Sequence, residues 1–150
     1  MKNILRCTCA DEWGEYAPLV LRVIVGTVFA VHGADKLFNK GLDGTASFLG
    51  SLGFPLPVLF AVLLIAAELV GGIMLVLGLY THWAAKFALI VALVAFFTVH
   101  MTKGFMISNG GYEYIIVLAA ASFSLMVTGA GKYSLDHLRT STQEPITPTA

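Results

Sequence analysis

Charge is what this chain has least of. Only 12% of its 150 residues are Asp, Glu, Lys or Arg, and their formal charges sum to zero. A soluble domain carries about 25% charged residues, so the polar surface that would dissolve a domain of this size is missing. No basic stripe runs along any segment, which excludes recognition of a phosphate backbone. Cysteine is scarce too: Cys7 and Cys9 stand as Cys-Thr-Cys in a polar N-terminal arm. One intervening residue is poor geometry for a disulfide and two thiols make an incomplete metal cage, so they read as ordinary reduced thiols and no metal site is expected. No nucleophile–base–orienter set and no phosphate-binding glycine loop occurs, and the apolar segments hold no Cys. Redox work by such a chain would need an organic or haem cofactor.

Apolar residues fill the space that charge leaves. They make up 57% of the chain, and the mean hydropathy is +0.82. This composition describes an integral membrane protein of one domain. The fold class expected is all-α: a four-helix membrane bundle with a short interfacial helix between spans one and two. The spans fall at about 18–38, 57–80, 83–105 and 111–129, within a membrane domain of residues 18–138. Residues 1–17 form a polar arm, and residues 139–150, TSTQEPITPTA after Arg139, read as a disordered tail. Because the arm carries Asp11, Glu12 and Glu15 before the first apolar run, that run reads as a retained helix and not as a cleaved signal.

Each span has a pattern of its own. In the first, Gly26, Phe29, Gly33 and Lys36 recur at helical spacing with His32 beside them, a stripe suited to protein and not lipid. Arg22, one turn inside, is expected to snorkel back to the headgroups. Thr45–Phe54 is too short to cross and sets Phe48, Leu49 and Leu52 on one face, as a surface helix would. The second span offers Ala67, Gly71, Gly72 and Gly78 for close helix contact. The third carries a stripe of Ala85, Ala88, Ala92 and Ala95, and a second of Leu89, Leu93, Phe96 and His100. In the fourth, Glu113, Val117, Ala120 and Ser124 share a face expected to point inward, and Tyr133–Asp136 is expected to cap the bundle beyond it.

Glu68 is the anomaly: one carboxylate near the middle of the apolar run Leu56–Leu79. Such a group costs roughly 2.5–3.5 kcal/mol at the bilayer centre, so it is paired, protonated or working. The cations Lys2, Arg6, Arg22, Lys86, Lys132 and Arg139 fall on the side of the termini, against Lys36, Lys40 and Lys103 on the other. That bias places both termini in the cytoplasm. At 1.5 Å per residue, Glu68 then lies about 16–18 Å below the outer end of its span, with His32, His100, Lys36 and Glu113 in the same outer half. Glu68 reads either as a Lys-paired or protonated helix fastener, or as a proton-handling group acting with His32. His32 and His100 read as buried hydrogen-bonding residues, as donors to a quinone carbonyl, or as axial ligands to a haem b. Lys36 and Lys103 read as interfacial anchors or anion attractors, and Glu113 as a first-turn acid favoured by the helix dipole.

Seven pieces of the chain, in one order, carry a family resemblance. They are Leu-Arg-Val-Ile-Val-Gly with His32–Leu37, Gly53–Pro57, Glu68–Gly72, the stretch GLYTHWAA, Val99-His100 with Lys103–Phe105, Gly110–Glu113, and Gly129–Asp136. Together they resemble the DoxX family of small four-helix membrane proteins, over about residues 19–136. His82 departs from the pattern, where many relatives carry Arg. The resemblance implies a bacterial inner-membrane protein linked to thiosulfate:quinone or thiol and oxidative-stress chemistry. The expected role is the membrane subunit of a quinone-linked oxidoreductase. In it His32 and His100 hold the quinone headgroup, Glu68 handles protons with His32, and Lys36 with Glu113 shape the outer entrance. A soluble or membrane redox partner would accompany it in the lipid bilayer. The alternatives are a non-catalytic anchor and a small-molecule or proton transporter.

Overall fold

Apolar side chains at helical spacing, interrupted by Gly and Pro, divide the chain into helices and leave no strand among the described residues. The computed structural model describes residues 14–141, so Cys7, Cys9 and the expected tail beyond Ser141 lie outside the described residues. Helix α1 runs Tyr16–Ala34 and continues as a π-helical turn, Asp35–Asn39. Helix α2, Gly41–Ser51, follows, then α3, Pro57–Leu77. Helix α4, Thr81–Ala95, again ends in a π-helical turn, Phe96–His100, and a short 3₁₀ turn, Met101–Lys103. Helix α5 is Glu113–Thr128 and α6 is Leu135–Ser141. The last helix therefore enters the segment expected to be disordered from residue 139.

Three of these units are long and apolar enough to cross a membrane: Tyr16–Asn39, Pro57–Leu77 and Thr81–Lys103. Helix α5 is apolar but shorter, at 16 residues. The packing runs in a ring, α1 on α3, α3 on α4, α4 on α5 and α5 back on α1, with α2 laid against α3. Its centre is Val25, Phe29, Leu75, Ala84, Ala85, Ala88, Ala92, Ala119 and Leu125. The alanine stripe of α4 faces inward as its spacing indicated. On α5 the inward face is Leu118, Ala119, Ser122 and Leu125, whereas Val117 is 64% exposed. The expected face of Glu113, Val117, Ala120 and Ser124 is corrected accordingly: α5 packs through the neighbouring row of Leu118, Ala119, Ser122 and Leu125, and Val117 and Ala120 turn out. The face of α2 is corrected as well. Thr45, Ala46 and Leu49 are buried while Phe48 is exposed.

Helices α1 and α3 meet through glycine. A Cβ added to Gly26 would stand 2.6 Å from the Gly72 carbonyl oxygen, and one added to Gly72 would meet the backbone of Ala30. Gly33 lies on the backbone of Leu69 in the same way. Close backbone approach of this kind is how helices gain dispersion contact where no water drives them together.

At the end of the ring near the termini, Arg22 does not snorkel. It is 2% exposed; its Nη1 donates to the Leu75 and Val76 carbonyls and its Nη2 to the Tyr133 carbonyl. These Leu75 and Val76 carbonyls belong to the last turn of α3, where the helix dipole favours a cation. Gly78 then turns the chain in the left-handed region at φ 66°, and a side chain there would strike Ser134 and the Arg22 guanidinium. Beyond it, Asp136 accepts the N–H groups of Tyr80 at 2.7 Å and Thr81 at 2.8 Å, capping α4 from a distant part of the chain. Tyr80, left-handed at φ 46° and without a side-chain cap of its own, is held by that carboxylate. The expected cap from Tyr133–Asp136 thus takes the form of a cation on one helix end and an anion on the next. Nearby, the Glu15 carboxylate 3.1 Å from Lys132 holds that ammonium above its ordinary pKa through their hydrogen bond.

Two outcomes test this packing. Gly72→Ala should lower the thermal unfolding midpoint in detergent, whereas Gly71→Ala, with open space around its added Cβ, should hold or raise it, since Ala gains about 0.5–1 kcal/mol over Gly in a helix. Equal effects at the two neighbours would contradict the close contact. Asp136→Ala should cost about 1–2 kcal/mol, as loss of a helix cap does, read as a lower midpoint in the same assay.

Candidate functional site

The π-helical turn at the end of α1 puts Lys36 opposite α3. Lys36 Nζ lies 2.8 Å from Glu68 Oε1 and 2.6 Å from Oε2. Glu68 is 6% exposed, and 17% of the Lys36 side chain is accessible. Glu68 is the twelfth residue of α3, which places the pair about 16 Å along the helix axis from Pro57. The two charges answer each other directly: an isolated carboxylate here would face only apolar neighbours. Thr45 of α2, itself 2% exposed, donates to the Gly41 carbonyl at 3.0 Å and sits 3.4 Å from the Lys36 carbonyl. It ties α2 to the turn that presents the lysine. Beside the pair, Ala46 and Leu49 of α2 pack on Ala61 of α3.

One consequence of the pairing is chemical. An ammonium carries three donors, the carboxylate oxygens accept two of them, and no other partner of Lys36 Nζ occurs among the described residues. A third donor remains, on a side chain that is partly accessible.

The other expected site residues are not gathered at this point. His32 lies on the exposed flank of α1, with no hydrogen bond to Glu68 among the described residues; Lys36, not His32, reaches the carboxylate. His100, at the end of the second π-helical turn, is half-buried, with Nδ1 2.7 Å from the Gly110 carbonyl oxygen. A carbonyl only accepts, so Nδ1 carries a proton and donates to it. Glu113 Oε1 accepts the Ile107 N–H at 2.8 Å. His100 and Glu113 therefore both brace the α4–α5 connection. Phe96, Phe105 and Tyr112 pack edge-on around it, with ring centroids 5.2 and 5.6 Å from Tyr112. For a two-histidine haem the imidazoles must converge, and these belong to helices on different sides of the ring, one ring facing outward.

Sequence reasoning missed Thr45, Arg22 as a buried residue, and both π-helical turns. A lone buried Thr or an extra residue per turn leaves no periodic trace. π-Helical turns within helices concentrate at functional sites, and here each carries one of the ionisable residues in question, Lys36 and His100.

Removing one partner of a buried ion pair costs about 3–5 kcal/mol, while exchanging both for apolar residues is near neutral. Lys36→Met alone and Glu68→Leu alone should each lower the unfolding midpoint sharply, and the double variant should recover most of it. Additive losses would show that the two side chains do not interact.

Comparison with known proteins agrees with this picture. The DoxX family model matches residues 17–101. The chain is 36% identical over 122 residues to "Putative oxidoreductase CatD" of Bacillus subtilis, covering 81% of this chain and 86% of that protein. It is 31% identical over 133 residues to "Inner membrane protein YphA" of Escherichia coli, covering 83% and 94%. A Haemophilus influenzae protein without an assigned role is 30% identical over 131 residues, covering 85% and 93%. No solved structure gives a significant match. With three membrane-length apolar helices and a family match over more than half its length, the chain is a membrane protein belonging to the DoxX family.

Proposed function

We propose that this protein is the membrane subunit of a quinone-linked oxidoreductase in a bacterial inner membrane, with the Lys36–Glu68 pair as its polar centre. In this reading α5 completes a four-helix bundle, α2 lies on the membrane surface, and the termini are cytoplasmic. The observation that carries it is the unfilled third donor of Lys36, partly accessible beside a carboxylate buried halfway along an apolar helix of membrane-spanning length. A hydrogen-bond acceptor that dissolves in lipid fits that donor, and a quinone carbonyl is one. The names of two relatives, one an oxidoreductase and one an inner membrane protein, support the reading.

When bound, a quinone supplies two-electron, two-proton redox chemistry. The residues would do the rest. Lys36 Nζ would donate to the carbonyl oxygen and fix its position, while Glu68, which holds the ammonium in place, would take up or return a proton through it. In this reading His32, four residues before Lys36 on the exposed flank of α1, would pass that proton on. Thr45 keeps the lysine turn against α2, so the centre is closed on one side. The electrons come from a two-electron reductant or a partner subunit that binds it.

One observation favours a second reading. Both Glu68 oxygens are taken by Lys36, so the pair already joins α1 to α3 as a lock, and a subunit built around such a lock could serve as an anchor alone. Organic extraction of the protein purified in mild detergent separates the two. The wild type should yield a quinone in near-stoichiometric amount, and the Lys36→Met/Glu68→Leu double variant, which keeps its fold, should yield none. A wild type without quinone, or a double variant that retains it, overturns the redox role and leaves the anchor.

A further inference from the structure

The connection from Met101 to Tyr112 contains only short 3₁₀ turns, at Met101–Lys103 and Ile107–Asn109, yet most of its carbonyls between Gly104 and Gly110 find partners close by. The Gly104 carbonyl accepts from Tyr112 N–H at 3.1 Å, and that of Phe105 from Glu113 N–H at 2.9 Å. The Met106 carbonyl accepts from Asn109 and Gly111, at 3.1 and 2.9 Å, and that of Ile107 from Gly110 at 2.8 Å. The Ile107 N–H is taken by Glu113 and the Gly110 carbonyl by His100. Gly111 lets the two limbs touch, because an added Cβ would stand 2.6 Å from the Met106 carbonyl oxygen. Between Gly104 and Gly110, the carbonyls left over belong to Ser108 and Asn109.

The side chains divide along the same line. Met101, Phe105, Met106 and Ile107 are 52–59% exposed. They extend the outward apolar row of α4, Leu93 and Phe97, past the end of the helix. Ser108 and Asn109 form the polar corner. Lys103 is exposed beside them and has no carboxylate partner among the described residues. Irregular backbone is barred from lipid because its polar groups go unsatisfied. The Phe105–Ile107 edge is satisfied at all three of its carbonyls and at the Ile107 N–H.

We propose that the α4–α5 connection is a membrane-inserted cap. Its Phe105–Ile107 edge lies in the boundary between acyl chains and headgroups of the leaflet away from the termini. Ser108 and Asn109 stay at headgroup level, and Lys103 sits against a lipid phosphate. The partner is the lipid surface itself, continuous with the apolar flank of α4. The inference stands whether or not the Lys36–Glu68 centre takes a quinone.

The test uses the full chain with Cys7→Ser and Cys9→Ser, carrying Met106→Cys or Ser108→Cys, each labelled with an environment-sensitive nitrobenzoxadiazole. It is reconstituted without partners in phosphatidylethanolamine–phosphatidylglycerol vesicles. The Met106 probe should emit blue-shifted light, be quenched by shallow doxyl lipids, and be quenched by iodide several-fold less than the Ser108 probe. Adding Glu113→Ala, which removes the acceptor for Ile107 N–H, should raise iodide quenching at position 106 several-fold, and Glu113→Gln, which keeps an acceptor oxygen, should not. Equal iodide quenching at 106 and 108 overturns the insertion. A blue-shifted Met106 probe that doxyl lipids fail to quench overturns it as well, because it reports burial against protein.

Discussion

A carboxylate in the middle of an apolar helix must be answered from another helix, and in this protein the answer is Lys36. The reach is set by geometry. Gly26, Gly33 and Gly72 let α1 and α3 approach until backbone meets backbone, which brings the π-helical turn at Asp35–Asn39 alongside α3. From there Nζ spans to both oxygens of Glu68. Close packing and charge pairing depend on each other: without the glycines the lysine would fall short, and without the lysine the carboxylate would face hydrocarbon.

Apart from Gly53–Pro57, which leads into α3, the family pieces scattered along the chain collapse into three knots in space. His32–Leu37 and Glu68–Gly72 meet at the ion pair. Arg22, the Gly78–Thr81 turn and Ser134–Asp136 meet at the end near the termini, where a cation satisfies the last carbonyls of α3 and an anion the first N–H groups of α4. Those partial charges at helix ends are the ones the peptide dipoles create, and each receives its complement. His100, Lys103–Phe105 and Gly110–Glu113 meet in the α4–α5 connection. Two of the knots hold helix ends or loops. Arg22 is a buried charge with Nε left over as well, but it is closed off at 2% exposure, whereas the Lys36 side chain is partly accessible, and so the first knot is the one suited to a ligand.

Much of this was legible in the sequence, for identifiable reasons. Pro57 opens α3, as a residue without an N–H does best, and the alanines of α4 face inward at their regular spacing. The pairing of Glu68 could be read only as a set of alternatives, because Lys36 and His32 lie one turn apart on α1. Where α1 passes into a π-helical turn, the angular position of Lys36 shifts relative to an α-helical count, and that shift decides the partner. Arg22 was misread for a related reason. An arginine one turn inside an apolar run ordinarily snorkels, and nothing local reveals that Tyr133, more than a hundred residues later, returns a carbonyl to it. The face of α5 is not legible because its apolar residues surround the helix almost evenly, so that no single row stands out as the one that packs inward.

The central claim is that Lys36 and Glu68 are in direct contact inside the helix layer. Dipolar recoupling by solid-state NMR measures this in lipid bilayers, using ¹⁵Nζ-lysine and ¹³Cδ-glutamate in a chain carrying Glu15→Gln to remove the Lys132 contact. The account predicts strong dephasing of a glutamate carboxylate signal that disappears on Lys36→Arg labelling controls lacking ¹⁵Nζ at that position. No dephasing above background would contradict it, and with it the reading of this centre as a site.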